Sequence, residues 1–134
     1  MQKGVSVMND LLNMAFNEPT GKETTHINGL QIPKDLLDFL HKHNGGEGRL
    51  GECMLYLSSL EEMQKLNDDW KTAEYLGNAF IFGAFDKDIL IGYNAKTKRY
   101  CYIHSCYVLP EGIYNVSAGF EDFLTFLSKN DIHF

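Results

Sequence analysis

Apolar residues recur three or four positions apart in four segments of the chain, and this spacing predicts four helices. The first helix is predicted over residues 5–16. A polar loop over residues 17–28 separates it from the second helix. The second begins at Pro33, a residue favoured at the first helical position, and ends at the Asn-Gly-Gly of residues 44–46.

The third and fourth helices carry clearer signals. Ser59 followed by Glu62 matches a capping box, which predicts the start of the third helix, and this helix is predicted to end near Asp69 or Trp70. The fourth helix follows Ser117. Its core-facing stripe consists of four apolar residues, Phe120, Phe123, Leu124 and Leu127.

Short apolar runs between the last two helices, and one before the third, predict strands. They cover residues 52–57, 79–83, 89–93 and 100–104, with residues 108–110 as an added edge strand. The turn-rich segments that connect the middle strands, residues 86–88 and 94–98, are short enough to form hairpins. Consecutive strands with tight turns predict an α+β fold, a single domain over residues 1–134 with a twisted, mainly antiparallel sheet flanked by helices.

The glycines after the second helix are predicted to be architectural. Gly45 or Gly46 can adopt the left-handed conformation that ends a helix at little steric cost. Residues 44–48 resemble a phosphate-binding loop in composition, but such a loop follows a strand and ends in Lys with Ser or Thr. This segment follows a helix and has no Lys, so the pattern favours a helix stop.

Composition indicates a globular, cytoplasmic protein. Hydrophobic residues make up 44% of the chain and charged residues 22%, which is ordinary for that class. Three cysteines are a poor disulfide framework and fit reduced thiols. No apolar run is long enough to cross a bilayer, and polar residues at positions 9, 10 and 13 interrupt any signal peptide. We therefore expect no membrane association.

The net charge of −6 disfavours nucleic acid as a partner and suits either solubility or a basic protein partner. Tyr56, Tyr75 and Tyr107 are candidate contact anchors if they are exposed, and core residues if they are not. The acidic residues are candidates for partner binding, or else ordinary solvated charges. They are Glu61, Glu62, Asp68, Asp69, Glu74, Asp86 and Asp88.

Two clusters of metal-ligating residue types have the wrong spacing for a shared ion. Cys101, His104 and Cys106 lie near one another, but strand alternation points Cys101 away from the other two. His41 and His43 project about 200° apart around a helix. The sequence therefore predicts no metal site.

The sequence also predicts no enzyme and no cofactor. The aspartate pairs at residues 68–69 and 86–88 are explained by a helix end and by a turn. No serine lies in a nucleophile elbow, and no cysteine and histidine form a nucleophilic pair. We expect a domain without a catalytic site.

Five segments, in order, resemble one family. The helix with Pro33 and Phe39 that ends in Asn-Gly-Gly-Glu-Gly is similar to the hallmark of the SUKH superfamily, of the Smi–Knr type. Residues 56–63, 80–83, 92–94 and 119–124 are similar to its later motifs, and the matches span roughly residues 30–128. Residues 84–88 depart from the glycine-rich acidic turn that is common in the family. The residues that carry the scaffold are Pro33, Asn44, Gly45, Gly46, Gly48 and Gly83.

This resemblance implies an α+β fold and a role in protein binding. Many bacterial members are immunity proteins that neutralise a cognate toxin, which is a nuclease in many cases and therefore basic. We expect such an immunity protein, with its oligomeric state open. The alternatives are a scaffold or regulatory interaction module, and a small enzyme or ligand-binding protein.

Overall fold

The fold, obtained as a computed structural model, is described for residues 15–18, 24–129 and 132. Its strands are β1 Ala15–Phe16, β2 His26–Ile27, β3 Leu30–Gln31, β4 Gly46–Leu50, β5 Cys53–Leu57, β6 Ala79–Phe85, β7 Ile89–Asn94, β8 Arg99–His104 and β9 Tyr114–Ser117. Its helices are α1 Lys34–Lys42, α2 Leu60–Trp70, α3 Thr72–Tyr75 and α4 Phe120–Ser128, and a 3₁₀ turn covers Pro110–Gly112.

Seven of these strands form one antiparallel sheet in the order β1-β4-β5-β6-β7-β8-β9. β2 and β3 form a separate hairpin. The prediction of an α+β fold with an antiparallel sheet and flanking helices is confirmed. In the part of the chain that is described, no helix is long and apolar enough to cross a membrane.

The two faces of the sheet are covered differently. α1 and α4 pack on one face, called here the main core face, through residues such as Leu36, Phe39, Phe120 and Phe123. The opposite face, called here the second face, carries a smaller cluster of buried residues, with partly buried side chains from α2 and the segment before β9 around it. That cluster consists of Leu76, Ala79, Ile81, Leu90 and Ile103.

A bulge in β6 lets one strand deliver three phenylalanines to the same core. Phe80, Phe82 and Phe85 all belong to the main core, although their spacing of two and then three breaks strict alternation. The register against β7 shifts between Ile81 and Gly83, which inserts one extra residue. The bulge therefore restores the inward direction of Phe85.

The strongly periodic elements agree with the sequence prediction. The strands predicted at residues 52–57, 79–83, 89–93 and 100–104 match β5 to β8, and both hairpin turns are present. The Ser59 hydroxyl accepts a hydrogen bond from the Glu62 N–H at 3.3 Å, as the capping box predicts. α2 ends at Trp70, and α4 carries its predicted stripe on the buried side.

Several predicted elements were wrong. Most of the first helix, residues 5–14, lies outside the described residues, but its last two predicted residues form β1. The loop predicted over residues 17–28 contains β2. Residues 108–110 are not a strand, because Pro110 starts the 3₁₀ turn, and β9 is the edge strand instead. β4 was not predicted.

The predicted glycine stop of the second helix was also wrong. α1 already ends at Lys42, and His43 follows with an extended φ of −134°. Gly45 and Gly46 do have positive φ, at 81° and 147°, but they belong to the entry into β4. A Cβ on Gly45 would lie 2.5 Å from the Leu57 carbonyl oxygen, so the sheet requires glycine here. Pro33 precedes α1 as its N-cap.

Candidate functional site

Asn44, from the helix-stop segment, caps a different helix from the one that it follows. Its side chain is buried, its Oδ1 accepts from the Leu60 N–H at 3.0 Å, and its Nδ2 donates to the Glu61 carboxylate at 2.7 Å. Asn44 thus fixes the N-terminus of α2. Glu61, a predicted partner-binding residue, is engaged in this contact and is partly buried.

Asn67 holds α2 against the sheet. It is fully buried, and its amide exchanges two hydrogen bonds of 2.8 Å with the N–H and C=O of Ile81. The Thr72 hydroxyl donates to its Oδ1 at 2.7 Å. β5 pairs with β6 only as far as Gly83. Asn67 therefore supplies the hydrogen-bond partners of the Ile81 backbone, which lies beyond the part of β6 that β5 covers. Sequence reasoning missed it, although an asparagine on the apolar side of α2 was the available signal.

Asp68 belongs to a neighbouring network that positions the β2–β3 hairpin. The Gln64 amide donates to Asp68 at 2.9 Å and to the Asn28 side chain at 2.9 Å, and it accepts from the Asn28 N–H at 2.8 Å. Asn28 in turn donates to Thr72 at 2.8 Å. Asp68 is exposed, but its carboxylate also takes part in the hydrogen bonds that hold the hairpin in place.

The seven predicted acidic residues form two groups rather than one surface. Five lie on α2 and α3. Asn67 of α2 contacts Ile81, and this contact places the group beside the first residues of β6. Asp86 and Asp88 lie in the β6–β7 turn at the other end of β6. Burial, and after it the charge and hydrogen bond of Asp86, raise the pKa of the Cys53 thiol, so this aspartate lies beside β5.

Within the first group, Glu62 and Glu74 are the exposed acids whose carboxylates form no hydrogen bond or ion pair with the residues that the structure describes. Asp69 is exposed as well, but it pairs with Lys65 at 3.0 Å across one helical turn. Such an exposed pair contributes only about 0.3–0.5 kcal/mol to stability and stays accessible. Glu62 and Glu74 are therefore the best placed to attract a basic partner.

Large exposed apolar side chains concentrate around the second face. Met54 is 49% exposed and Tyr56 38% exposed, and both lie on the side of β5 that points away from the main core. Tyr56 pairs across the sheet with Ala84, which packs against the second-face cluster. Three more are next in sequence to members of that cluster or to residues packed on it, namely Tyr75, Tyr107 and Leu109. Tyr114 is the exception, because its ring stacks on Tyr102 of the main core.

The three tyrosines for which the sequence left two alternatives are therefore exposed, and the core alternative was wrong for them. β4 extends the second face beyond β5: Glu47 lies opposite Tyr56, and Arg49 lies opposite Met54. All four side chains are exposed. We call these four residues the β4–β5 open face. It combines an aromatic ring, a flexible thioether and charged groups, a composition typical of protein contacts.

Asp35 joins three elements on the main core side. Its carboxylate accepts from the Tyr100 hydroxyl at 2.5 Å and from the Phe120 N–H at 2.8 Å. Gly119 has no side chain to cap α4, so Asp35 supplies the cap from α1. Burial and the hydrogen bond to Asp35 raise the pKa of Tyr100 far above its usual value, so this phenol stays protonated and donates.

The residues considered for metal binding have other contacts. Cys101 is buried, whereas Cys106 is exposed in the turn after β8, and its N–H donates to His104 Nδ1 at 3.0 Å. The His43 ring packs against Phe16 at an angle of 33°, with centroids 4.4 Å apart, while His41 is exposed on α1. Over the described ranges, no three His, Cys, Asp or Glu side chains are grouped closely enough to hold a metal ion.

No protein-family model matches this chain, and none of the curated proteins matches it either. Membership of the SUKH superfamily therefore stays a prediction from the sequence motifs.

Proposed function

We propose that this chain is an immunity protein that binds a toxin protein and neutralises it by direct contact, in the cytoplasm of the cell that it protects. The observation that carries the proposal is the concentration of exposed Met54 and tyrosines around the second face, with acidic side chains beside them. Contiguous exposed apolar groups with a polar rim are typical of protein interaction sites. The family resemblance supports the same function.

The acidic groups define the chemistry of the partner. Glu62, Asp69 and Glu74 flank the second face on α2 and α3, and Glu47 stands opposite Tyr56. A toxin that acts on nucleic acid has a basic active face, because it must bind phosphate. Negative charge around an apolar contact would steer such a toxin to this surface and favour occlusion of its active site.

The interface is tested by replacing one anchor. We expect Tyr56→Ala to weaken the complex by a factor of about 30, equivalent to about 2 kcal/mol, because a central aromatic side chain is typical of binding hot spots. Tyr114→Ala is the matched control, since both residues are 38% exposed and Tyr114 stacks on Tyr102, which belongs to the main core on the opposite side of the sheet. Calorimetric titration measures both. Equal losses, or a loss for Tyr114→Ala alone, would place the interface elsewhere.

The function itself is tested in cells. The protein encoded next to this chain's gene is expressed alone and together with this chain. Growth arrest that this chain relieves, with a stable complex on copurification, is the expected result. Neither protection nor a complex would overturn the proposal. Complexes with cellular proteins other than a toxin, without protection, would favour the scaffold or regulatory alternative.

A further inference from the structure

The strand register places the four exposed side chains of the β4–β5 open face at the corners of a rectangle. Glu47 lies opposite Tyr56, and Arg49 lies opposite Met54. Within each strand the two residues are separated by one residue, so both side chains point to the same face. A carboxylate and a guanidinium on β4 therefore stand beside an aromatic ring and a thioether on β5. Met54 is 49% exposed and Tyr56 is 38% exposed.

This rectangle is complementary to itself. A two-fold axis can lie between two facing sheets, perpendicular to the strands and level with the centre of the rectangle, and such an axis exchanges the two ends of each strand. Glu47 of each copy then faces Arg49 of the other, and Met54 of each copy faces Tyr56 of the other. The first contact pairs opposite charges, and the second places a thioether against an aromatic ring, which is a favourable contact.

We propose that the β4–β5 open face binds the same face of a second copy of this chain about this axis. A two-fold interface uses one patch twice, so each residue must find its partner within that patch. The four residues of the β4–β5 open face meet this condition. The contact removes Met54 and Tyr56 from water and pairs the charges beside them.

The position of Arg49 favours this contact. Its guanidinium donates to the Glu52 carbonyl oxygen at 3.0 Å, which holds the side chain beside the β4–β5 turn. A guanidinium has five N–H donors, so it can also pair with a carboxylate of the second copy. Sheets that pack face to face lie about 10 Å apart, a gap that side chains of this length fill from both sides. Side chains of the segment before β9 cover the second face farther along the sheet, so the two sheets diverge from the β4–β5 contact.

The first test is the oligomeric state of the full chain alone, measured by sedimentation equilibrium over a range of concentrations. We expect a reversible dimer that Glu47→Arg and Arg49→Glu, each alone, weaken at least about tenfold, because each brings like charges face to face. Tyr56→Ala should weaken the dimer as well, since it removes the aromatic contact. Circular dichroism checks that all variants fold. A monomer at every concentration would overturn the proposal.

Mixing the two charge variants distinguishes a contact between copies from one within a copy. In a mixed dimer, the new arginine of one chain faces the new glutamate of the other, and the two unchanged residues face each other. We therefore expect an equimolar mixture of the Glu47→Arg and Arg49→Glu chains to dimerise within about threefold of the parent affinity, although neither chain does so alone. No recovery on mixing would overturn the proposed axis.

The control for net charge is a second pair of chains, Asp122→Arg and Arg99→Glu. They change the net charge by the same amounts, but Asp122 lies on α4 and Arg99 lies at the start of β8. Each control chain should dimerise like the parent. If the control chains are weakened equally and recover equally on mixing, overall charge and not the β4–β5 open face drives association, and the proposal is overturned.

The dimer also regulates the surface proposed for the toxin, and this consequence rests on the proposed function. The second copy covers Met54 and Tyr56, so a toxin must displace it to bind there. Adding the protein encoded by the neighbouring gene should convert the dimer into complexes with a single copy of this chain, measured by light scattering after size exclusion. Complexes that keep two copies would overturn the competition. No complex at all, with the dimer intact, would overturn the proposed function instead.

Discussion

One buried asparagine takes the place of a strand at the edge of β6. Asn67 pairs with both backbone groups of Ile81 and accepts from Thr72, so three polar groups depend on it. Leucine has a similar volume but would leave these groups without partners in the interior. Because a buried group that loses its partner costs about 1–3 kcal/mol, we expect Asn67→Leu to lower the free energy of unfolding by about 3 kcal/mol.

Urea unfolding, followed by circular dichroism, measures this loss. Asn78→Ala is the control, because Asn78 is exposed and contributes only backbone hydrogen bonds. We expect that variant to stay within about 0.5 kcal/mol of the parent chain. A similar loss in both variants would mean that the contact between Asn67 and Ile81 does not stabilise the fold.

A buried thiol gives the stability a defined dependence on pH. Burial raises the pKa of Cys101 to about 12. Above its usual pKa, near 9, the unfolded chain loses this proton while the folded chain keeps it. Stability is therefore fully present below pH 9 and falls by up to about 1.4 kcal/mol per pH unit as the pH rises toward 12.

Denaturant unfolding at several pH values above 8.5, in the presence of a reducing agent, measures this slope. We expect Cys101→Ala to reduce the slope in this window, and Cys106→Ala, which removes an exposed thiol, is the matched control. The difference between the two variants removes the contribution of tyrosines and lysines that titrate in both. Identical slopes in both variants would contradict the prediction.

Among the elements, β5 and β6 approach each other at a glycine. A Cβ at Gly83 would collide with the Tyr56 carbonyl oxygen, although its own φ is not in the left-handed region. We therefore expect Gly83→Ala to force the strands apart and lower the free energy of unfolding by about 3 kcal/mol. Gly119→Ala is the control, because the nearest atom to its Cβ would be the Asp122 carboxylate at 3.5 Å. Thermal and urea unfolding of both variants check this difference.

The elements that sequence reasoning found are those with strong periodicity. β4 escaped it because Gly-Glu-Gly-Arg-Leu has little intrinsic strand propensity, and this segment is a strand because β5 pairs with all five of its residues. β9 was not predicted because residues 108–110 are more apolar than β9 and were therefore predicted as the edge strand instead. Val108 instead packs on the second face, so its burial has a tertiary cause that local pattern does not reveal.

The candidate site was predictable only in part, for a similar reason. Alternation along β5 places Met54 and Tyr56 on one face, but it does not indicate whether another element covers that face. Residues of α2 and the segment before β9 cover β6 to β8, and β5 stays open. The acidic residues were identified correctly as mainly exposed, yet the fold divides them between the two ends of β6 and engages Glu61 and Asp68 in its own hydrogen bonds.

At the scale of the whole molecule, some charged side chains take no part in structural contacts. Their replacement therefore tests whether negative charge steers the partner to this surface. Glu62 and Glu74 are exposed, and no hydrogen bond involving either carboxylate occurs among the described residues. Replacing both with lysine changes the net charge without disturbing the caps. Long-range attraction acts mainly on association, so we expect Glu62→Lys with Glu74→Lys to slow association with a basic toxin about tenfold at low ionic strength.

The control must change the total charge equally at a distant place. Glu111→Lys with Asp122→Lys does so, because both residues are exposed and lie near β9 and α4 instead of α2. Stopped-flow kinetics at low and at physiological ionic strength separate the two effects. If the position of the charge matters, the association rate falls more in the first variant than in the second, and the difference disappears at physiological ionic strength. Equal losses in both variants would mean that only the net charge of −6 steers the partner, and the acidic residues of α2 and α3 would then be ordinary solvated charges.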